Sequence, residues 1–299
     1  MHFLPKPTKK CRLFILTCLF LCKGYSRVKM YTKVLLLSWF ICISLSISGQ
    51  SVSVCSWNIK DFGRSKDDAE IAVIANTVKI FDVIAIQEVV AGYGGPQAVA
   101  RLADELSRSG SKWDYAISLV TSGSSHQSER YAFIWNTAKL KKAGEPWLEQ
   151  KFGLLIEREP FYGRFEIAGK QFTLVSFHAL PKSKQPETEI KYLKFLPAMY
   201  PKDKLIFCGD FNLPQSHSVF LPLKKAGYLP ALVRQKTSLR QKEVNGESLA
   251  SELDNIFFKS QRLKPGRAGV VHFYRYFSNL KEGSRISDHV PVYFEFSLL

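Results

Sequence analysis

Short stretches in which apolar positions dominate, or alternate with polar ones, recur from residue 51 to the end of the chain. The last stretch alternates most cleanly, with Val290, Val292 and Phe294 on one face. Such runs of four to ten residues are typical of β-strands. The predicted strands cover residues 51–59, 82–87, 113–119, 130–135, 172–178, 204–210, 253–258 and 289–298.

Three stretches between these runs repeat apolar residues with the period of a helix. Their apolar faces are Ile71, Ile74 and Val78; Val99, Leu102 and Leu106; and Ile190, Leu193 and Leu196. Strands outnumber helices, and several consecutive strands lie too close along the chain for a helical crossover. The pattern therefore predicts an α/β (α+β) fold with mixed sheets and helices outside, rather than a purely parallel doubly wound sheet.

The first 49 residues have a different character. They contain two apolar runs, residues 13–22 and 34–47, and neither reaches the ~18–20 residues that a membrane-spanning helix needs. The second run follows a basic start and ends in small residues, which is the pattern of a signal peptide. We predict cleavage near residues 48–50, so that the protein is exported, secreted or periplasmic, without a transmembrane segment. An uncleaved membrane anchor is the alternative.

Under this interpretation residues 1–49 are an N-terminal extension plus signal peptide, with translation starting at Met30 or at Met1. Residues 50–299 contain no repeat, low-complexity run or long linker, so we expect a single domain there. Four of the six Cys precede residue 50. The other two, Cys55 and Cys208, lie in apolar runs and are expected to be core residues without a disulfide.

Composition and charge narrow the class of protein. Apolar residues make up 46% of the chain, which excludes a disordered or fibrous protein. The net charge is +16, and residues 1–49 hold eight of the 42 Lys and Arg and no Asp or Glu. Without them the body carries +8. A moderately basic body suits a polyanionic partner but does not identify one.

Polar side chains cluster where the predicted strands begin or end. One such residue is usually a turn former, but Glu is a poor turn residue and Glu88 ends a run that is mostly apolar. If these ends share one sheet edge, they converge on a cleft. The residues concerned are Asn58, Glu88, His178, Asp210, Asn212, Asp288 and His289.

This set has the chemistry of phosphoester hydrolysis. Its amide and carboxylate oxygens are ligands for a hard divalent cation, and His178 and His289 are suited to proton transfer. A cation offsets the phosphate charge while a histidine–carboxylate pair activates water. No CxxC or HExxH spacing indicates a zinc site.

The order of short motifs resembles the endonuclease/exonuclease/phosphatase superfamily. The motifs are WNI, QE, ER-Y, REP, H, GDFN, LDN and SDH, spread from Ser53 to about Phe296. WNIKDFGRSK and EREP are similar to the secreted DNase I branch. The resemblance implies a four-layer sandwich, in which two packed mixed β-sheets are flanked by helices. It also implies a metal-dependent hydrolase that acts on nucleic acid, most of all DNA, as a monomer without a stable protein partner.

Residue roles follow from the same resemblance. Asn58, Glu88 and Asp288 resemble the ligands of one divalent cation, Mg²⁺ or Mn²⁺. Asp210, Asn212 and Asp254 resemble residues that line the other side of the phosphate pocket. Of these, Asp210 and Asn212 are also expected as metal ligands, and Asp210 as a catalytic residue. The resemblance is also compatible with a structural Ca²⁺, but the sequence does not identify its ligands.

The catalytic pairs are implied in the same way. His289 resembles the general base, oriented by Asp254, and His178, held by Glu129, resembles the group that meets the phosphate or the leaving oxygen. Arg158 resembles a phosphate clamp, since a planar guanidinium can bind two phosphate oxygens at once. Without the motif, Glu129 and Arg158 would be read as a surface ion pair.

The sequence departs from DNase I at two positions that grip duplex DNA. Val90 stands where the family has an arginine for the minor groove, and Gln127 stands where it has a tyrosine. No Cys pair matches the family's disulfide after GDFN. Three functions therefore stay open: an exported nuclease, a phosphoesterase acting on lipid or sugar phosphates such as a sphingomyelinase-like enzyme, and a silent binding protein. Exposed aromatics at Tyr93 and residues 273–277 would favour the second, although packing within a loop explains the latter better.

Overall fold

The protein is described here from a computed structural model, which covers residues 51–123 and 128–299. The predicted signal peptide, its cleavage site near residues 48–50 and Gln127 lie outside the described residues. The strands of the described part are β1 (Ser51–Phe62), β2 (Val83–Val90), β3 (Trp113–Ile117), β4 (Glu129–Asn136), β5 (Lys141–Lys142), β6 (Trp147–Leu148), β7 (Phe161–Ile167), β8 (Lys170–His178), β9 (Leu205–Asp210), β10 (Tyr228–Pro230), β11 (Leu239–Val244), β12 (Glu247–Leu249), β13 (Asp254–Lys259), β14 (Leu263–Val270) and β15 (Val292–Leu298).

The helices are fewer and mostly short. They are α1 (Asp68–Val78), α2 (Gly94–Ser107), α3 (Glu187–Ile190), α4 (Leu196–Met199), α5 (Leu221–Lys225) and α6 (Leu280–Ile286). Helix α1 begins with a capping box, because Asp67 accepts from the backbone N–H of Glu70 and the Glu70 side chain accepts from that of Asp67. Within the described residues, none of the helices is both long enough and apolar enough to cross a membrane.

The strands form two main sheets. Sheet 1 has the order β14-β15-β1-β2-β4-β3, and sheet 2 has the order β10-β13-β9-β8-β7-β5, with β6 also paired to β7. Each contains one parallel pair, β1 with β2 and β8 with β9, among antiparallel neighbours. Strands β11 and β12 form a separate hairpin. The prediction of mixed sheets is confirmed.

Three apolar clusters hold the layers together. The first packs α1, α2 and α6 on the outer face of sheet 1, around Trp57 and Leu102. The second lies between the two sheets, around Phe133 and Phe294. The third covers the outer face of sheet 2 with the short helices of residues 187–225. Burial of apolar area stabilises the packing of these layers on one another. Helices, sheet 1, sheet 2 and helices therefore form four layers, and the predicted four-layer sandwich is confirmed.

The structure departs from the element predictions for one helix and for some of the strands. Residues 190–196 do not form one helix: a helical turn ends at Ile190 and α4 starts again near Pro197, whose ring lacks an N–H and favours a helix start. Strands β7 and β14 were not expected from the sequence. In the run at residues 273–277, Phe273 and Tyr274 are buried, and the Phe273 ring lies 4.9 Å from that of Trp57. Tyr276 of the same run is exposed, as is Tyr93. Cys55 and Cys208 are buried free thiols.

Candidate functional site

The predicted site residues meet where the two parallel strand pairs end. Asn58 lies in β1 and Glu88 near the end of β2, while His178 and Asp210 are the last residues of β8 and β9 and are paired with each other. The carboxyl ends of parallel strands open at the same sheet edge. The packing of sheet 1 on sheet 2 then brings the two edges together, and the convergence expected from the sequence is observed.

Glu88 reaches the site because its strand is irregular. Its backbone φ is 60°, in the left-handed region, and the pairing of β2 with both neighbours shifts register around it. A β-bulge of this kind redirects a side chain. The Glu88 carboxylate accepts hydrogen bonds from Asn58 Nδ2 at 3.0 Å and from the backbone N–H of Asp61 at 3.2 Å.

Asn58 connects the two sheets. Its Nδ2 donates to Glu88 Oε1 in sheet 1 and, at 3.2 Å, to Asp210 Oδ2 in sheet 2. Its Oδ1 is buried and accepts no hydrogen bond in the described part of the chain. A buried carbonyl oxygen without a donor is costly. Beside two carboxylates it is a suitable ligand for a hard cation, so this donor set fits Mg²⁺ or Mn²⁺.

His178 is paired with a buried carboxylate. Its Nδ1 lies 2.9 Å from Glu129 Oε2, and the side chains are 6% and 9% exposed. Burial alone would lower the pKa of His178, but Glu129 outweighs it, so this pKa is raised. The same pairing overcomes the effect of burial on Glu129 and lowers its pKa.

His289 has the equivalent arrangement in the other half of the site. Its Nδ1 lies 2.7 Å from Asp254 Oδ2. Burial opposes its protonation, but Asp254 and then Asp210 outweigh burial and raise the pKa of His289 well above the usual range. In addition, the backbone carbonyl of His289 accepts from Trp57 Nε1 at 2.8 Å, which fixes the segment against β1.

Asp210 lies between the two imidazoles. Its Oδ2 is 3.5 Å from His178 Nε2 and 3.6 Å from His289 Nε2, and the residue is 1% exposed. Burial opposes its ionisation, but His289 and His178 outweigh it and lower its pKa. Asp210, Asp254 and His289 also present ligand atoms within 4.8 Å of one another. One carboxylate is therefore shared by both histidines and by Asn58.

Arg158 is not part of a surface ion pair. It is 7% exposed, its guanidinium donates to Glu129 Oε2 at 3.3 Å, and it also donates to the carbonyl of Ala179. Its Nε is buried without a hydrogen-bond partner among the described residues. A fixed guanidinium with a spare donor suits an additional anionic oxygen.

Two further predicted residues lie at the edge of this group. Asn212 has a left-handed φ of 52° directly after β9, and its N–H donates to Asp210 Oδ1 at 2.8 Å. The side chain of Asp288 is exposed, precedes His289 and forms no hydrogen bond with a described residue. Neither Asn212 nor Asp288 forms a hydrogen bond with Asn58 or Glu88, so their part in the ligand set stays a prediction.

Sequence reasoning gave no role to two residues that join the parts of the site. Ser287 Oγ donates to the carbonyl of Asn58 at 2.6 Å and accepts from the N–H of His289 at 2.9 Å. Tyr131 donates through its hydroxyl to the Arg158 carbonyl and accepts from the N–H of His178, both at 3.2 Å. Both residues stand in the quoted motifs, SDH and ER-Y, which was the available signal.

The chain is similar to deoxyribonucleases in sequence and to an endonuclease/exonuclease/phosphatase family protein in fold. The chain is 28% identical over 263 residues to a deoxyribonuclease of Thioalkalivibrio sp. (strain K90mix), across 80% of this chain and 69% of that one. It is 27% identical over 271 residues to deoxyribonuclease-1-like 1 of Sus scrofa, across 85% and 83% of the two chains. In fold it is similar to an endonuclease/exonuclease/phosphatase family protein from Bacteroides thetaiotaomicron, with a TM-score of 0.62, 18% identity, and 83% and 98% of the chains covered.

The motif order, the four layers and the site at the sheet edge agree with this likeness. The model of the Endonuclease/Exonuclease/phosphatase family matches residues 55–289, which include every site residue named above. The chain belongs to the endonuclease/exonuclease/phosphatase family.

Proposed function

We propose that this protein is an exported, divalent-metal-dependent phosphodiesterase that hydrolyses DNA as an endonuclease. The observation that carries the proposal is the shared carboxylate Asp210, which faces the Nε2 atoms of His178 and His289 at 3.5 and 3.6 Å. Two histidines, each held at Nδ1 by a buried carboxylate, supply one group to take a proton from water and one to meet the phosphate or leaving oxygen. The deoxyribonuclease relatives and the basic body support DNA as the substrate.

Each residue has a separate role in the proposed reaction. His289, oriented by Asp254, takes the proton of the attacking water at Nε2, and His178, oriented by Glu129, contacts the phosphate or leaving oxygen. Arg158 holds Glu129 through its guanidinium and serves as the phosphate clamp. These pairs are preorganised, since both histidines are at least nine-tenths buried and hydrogen-bonded.

Asn58 and Glu88 would hold the divalent cation, with Asp210, Asn212 and Asp288 completing its surroundings. A bound Mg²⁺ or Mn²⁺ supplies charge neutralisation of the phosphate and of Asp210. A cation held there would offset part of the charge by which Asp210 raises the pKa of His289, the residue that acts as the base.

The proposal is tested by the activity of the protein without its first 49 residues. Plasmid DNA, single-stranded DNA, RNA and sphingomyelin are offered with Mg²⁺, with Mn²⁺ or with EDTA. We expect cleavage of DNA that EDTA abolishes and added Mg²⁺ or Mn²⁺ restores, because every proposed ligand atom is an oxygen. Full activity after exhaustive chelation contradicts the metal assignment. Hydrolysis of sphingomyelin alone would instead favour the lipid phosphoesterase alternative.

A further inference from the structure

A small polar group is buried between the two sheets, directly below the site. Gln87 of β2 is 0% exposed, and its Nε2 donates to Ser176 Oγ of β8 at 2.8 Å and to Ser56 Oγ of β1 at 3.2 Å. Ser56 and Ser176 are 1% and 0% exposed. We call these three side chains the Gln87 bridge. It joins sheet 1 to sheet 2 through the Gln87–Ser176 hydrogen bond, whose partners are 89 positions apart, while the Gln87–Ser56 hydrogen bond lies within sheet 1.

The bridge lies one layer of side chains below the site. Ser176 is paired with Cys208 in the parallel strands β8 and β9, and two residues further along His178 is paired with Asp210. At about 3.3 Å per residue, the bridge is about 7 Å below the histidine. On the other side, Asn58 follows Ser56 by two residues and is itself the strand partner of Gln87.

The other contacts between the two sheets around the Gln87 bridge are apolar and non-directional. The second cluster, which fills this interface, consists of side chains such as Val54, Ala85 and Ile206. Apolar contact stabilises the packing of the sheets but does not define a distance to a fraction of an ångström, because it is non-directional. Hydrogen bonds with a preferred length near 2.8–3.0 Å do define one.

The site requires a fixed spacing between the two sheets because its residues are divided between them. Asn58 and Glu88 belong to sheet 1, whereas His178 and Asp210 belong to sheet 2. The Asn58–Asp210 hydrogen bond of 3.2 Å crosses the gap. Placement errors of about 1 Å can cost as much as 10²-fold in rate.

We propose that Gln87 is a positioning residue, which through Ser176 and Ser56 sets the spacing of the two sheets and thereby the alignment of Asn58 and Glu88 with Asp210 and His178. The inference rests on the proposed function. It assigns to the Gln of the QE motif a task separate from that of the neighbouring Glu88, whose side chain contacts the site directly.

The test compares three variants that separate the loss of these hydrogen bonds from a loss of stability. Gln87→Met keeps the volume but leaves two buried hydroxyls unpaired, which costs stability by itself. In the triple variant Gln87→Met/Ser56→Ala/Ser176→Ala all three polar groups are replaced, so little stability should be lost. Tyr162→Phe is the control: it removes a buried 2.8 Å hydrogen bond to Glu149 on the outer side of sheet 2.

Mn²⁺ binding is measured by calorimetry without substrate, and DNA cleavage is measured at saturating Mn²⁺. We expect the triple variant to melt near the wild-type temperature, to bind Mn²⁺ about 10-fold more weakly and to lose about 10- to 100-fold in turnover. Tyr162→Phe should bind Mn²⁺ and cleave DNA like the wild type. Ser176→Ala alone should show a smaller loss in the same direction, and it serves as the test if the Gln87 variants do not fold.

Wild-type Mn²⁺ affinity and turnover in the folded triple variant, or in Ser176→Ala if that variant replaces it, would overturn the inference while leaving the proposed function intact. An equal loss in Tyr162→Phe would also overturn it, because the effect would then follow from stability alone. A wild-type protein that neither binds Mn²⁺ nor cleaves DNA would overturn the proposed function, and this inference with it.

Discussion

Each histidine of the site has one ring nitrogen committed to a buried carboxylate and the other turned toward Asp210. Glu129 and Asp254 accept at Nδ1, so Nε2 is the atom left for chemistry. This arrangement fixes the ring orientation before any substrate binds. At the scale of the residue, the proposed function therefore depends on the imidazoles themselves and on the charges of their partners.

Removing an imidazole should abolish most activity and leave the fold intact. For His289→Asn we expect a loss of about 10²–10⁴-fold in turnover, since general acid–base groups contribute by that factor. The matched control is His217→Asn. His217 caps a short helix by accepting from the N–H of Val219, a task that Asn also performs. Near-normal DNA cleavage by His289→Asn, measured next to this control, would contradict its role as the base.

The Glu129–His178 pair should make stability depend on pH. The raised pKa of His178 means that its contribution is complete below its ordinary value of 6.5 and is lost as pH rises through the raised value. The lowered pKa of Glu129 means that its contribution is present above 4.5 and is lost at lower pH. The wild type should therefore exceed Glu129→Gln in stability most between about pH 4.5 and 6.5.

This expectation is checked by thermal unfolding of both proteins in EDTA from pH 4.5 to 9. The difference in melting temperature should shrink steadily as pH rises above 6.5. A difference that stays constant over this range would show that the pair does not change its protonation on unfolding.

At the scale of the element, the site depends on how closely β8 and β9 approach each other. Gly209, next to Asp210, has a φ of 142°, and a Cβ there would lie 1.8 Å from the carbonyl oxygen of Phe177. Only glycine tolerates both conditions. The close approach is what allows His178 and Asp210 to pair across the strand ends.

Gly209→Ala should therefore destabilise the protein strongly, by about 3 kcal/mol or more, because the strands must separate to admit the methyl group. Gly169→Ala is the comparison, since this turn residue has a φ of 75° with nothing within 4 Å of the added Cβ, and it should cost only about 1 kcal/mol. Urea unfolding measures both. Equal losses in the two variants would mean that the contact with Phe177 is not the cause.

At the scale of the whole molecule, the proposed binding of DNA depends on the distribution of charge over the protein surface. The body carries +8, so a phosphate backbone should bind and release counterions. Val90 is 38% exposed at the end of β2, two residues after Glu88, and it cannot donate a hydrogen bond to a base or phosphate. Single strands can add base stacking, which duplex DNA does not offer.

We expect duplex cleavage to be more sensitive to salt than single-strand cleavage. Val90→Arg combined with Gln127→Tyr should raise duplex activity and reduce its dependence on salt, because the arginine adds a charged donor beside the site. Salt titrations of both proteins on both substrates provide the measurement. Identical curves would mean that these two positions do not set the preference, and basic segments such as residues 234–242 are then the alternative source of the duplex contact.

Local sequence patterns predicted many of the strands and the types of side chain at the candidate site. Alternating or apolar runs predicted the strands that carry the site, and the polar residues at their ends named the participants, because strand period and strand ends are local properties. Local signals were weaker elsewhere. Strand β14 contains Pro265 and Gly266, which are unfavourable in strands, and it forms only because it can add to the edge of sheet 1 beside β15.

The contacts between these residues were decided by the tertiary structure alone. The sequence places Gln87 in an apolar run but cannot name Ser176, since the packing of one sheet on another has no sequence period. The resemblance predicted Arg158 as a phosphate clamp but did not predict that Arg158 is buried against Glu129. That burial depends on layers formed by residues that are far apart along the chain. The types of side chain at the strand ends follow from the sequence, but their distances follow from the sandwich, because long-range burial brings two separate sheet edges together.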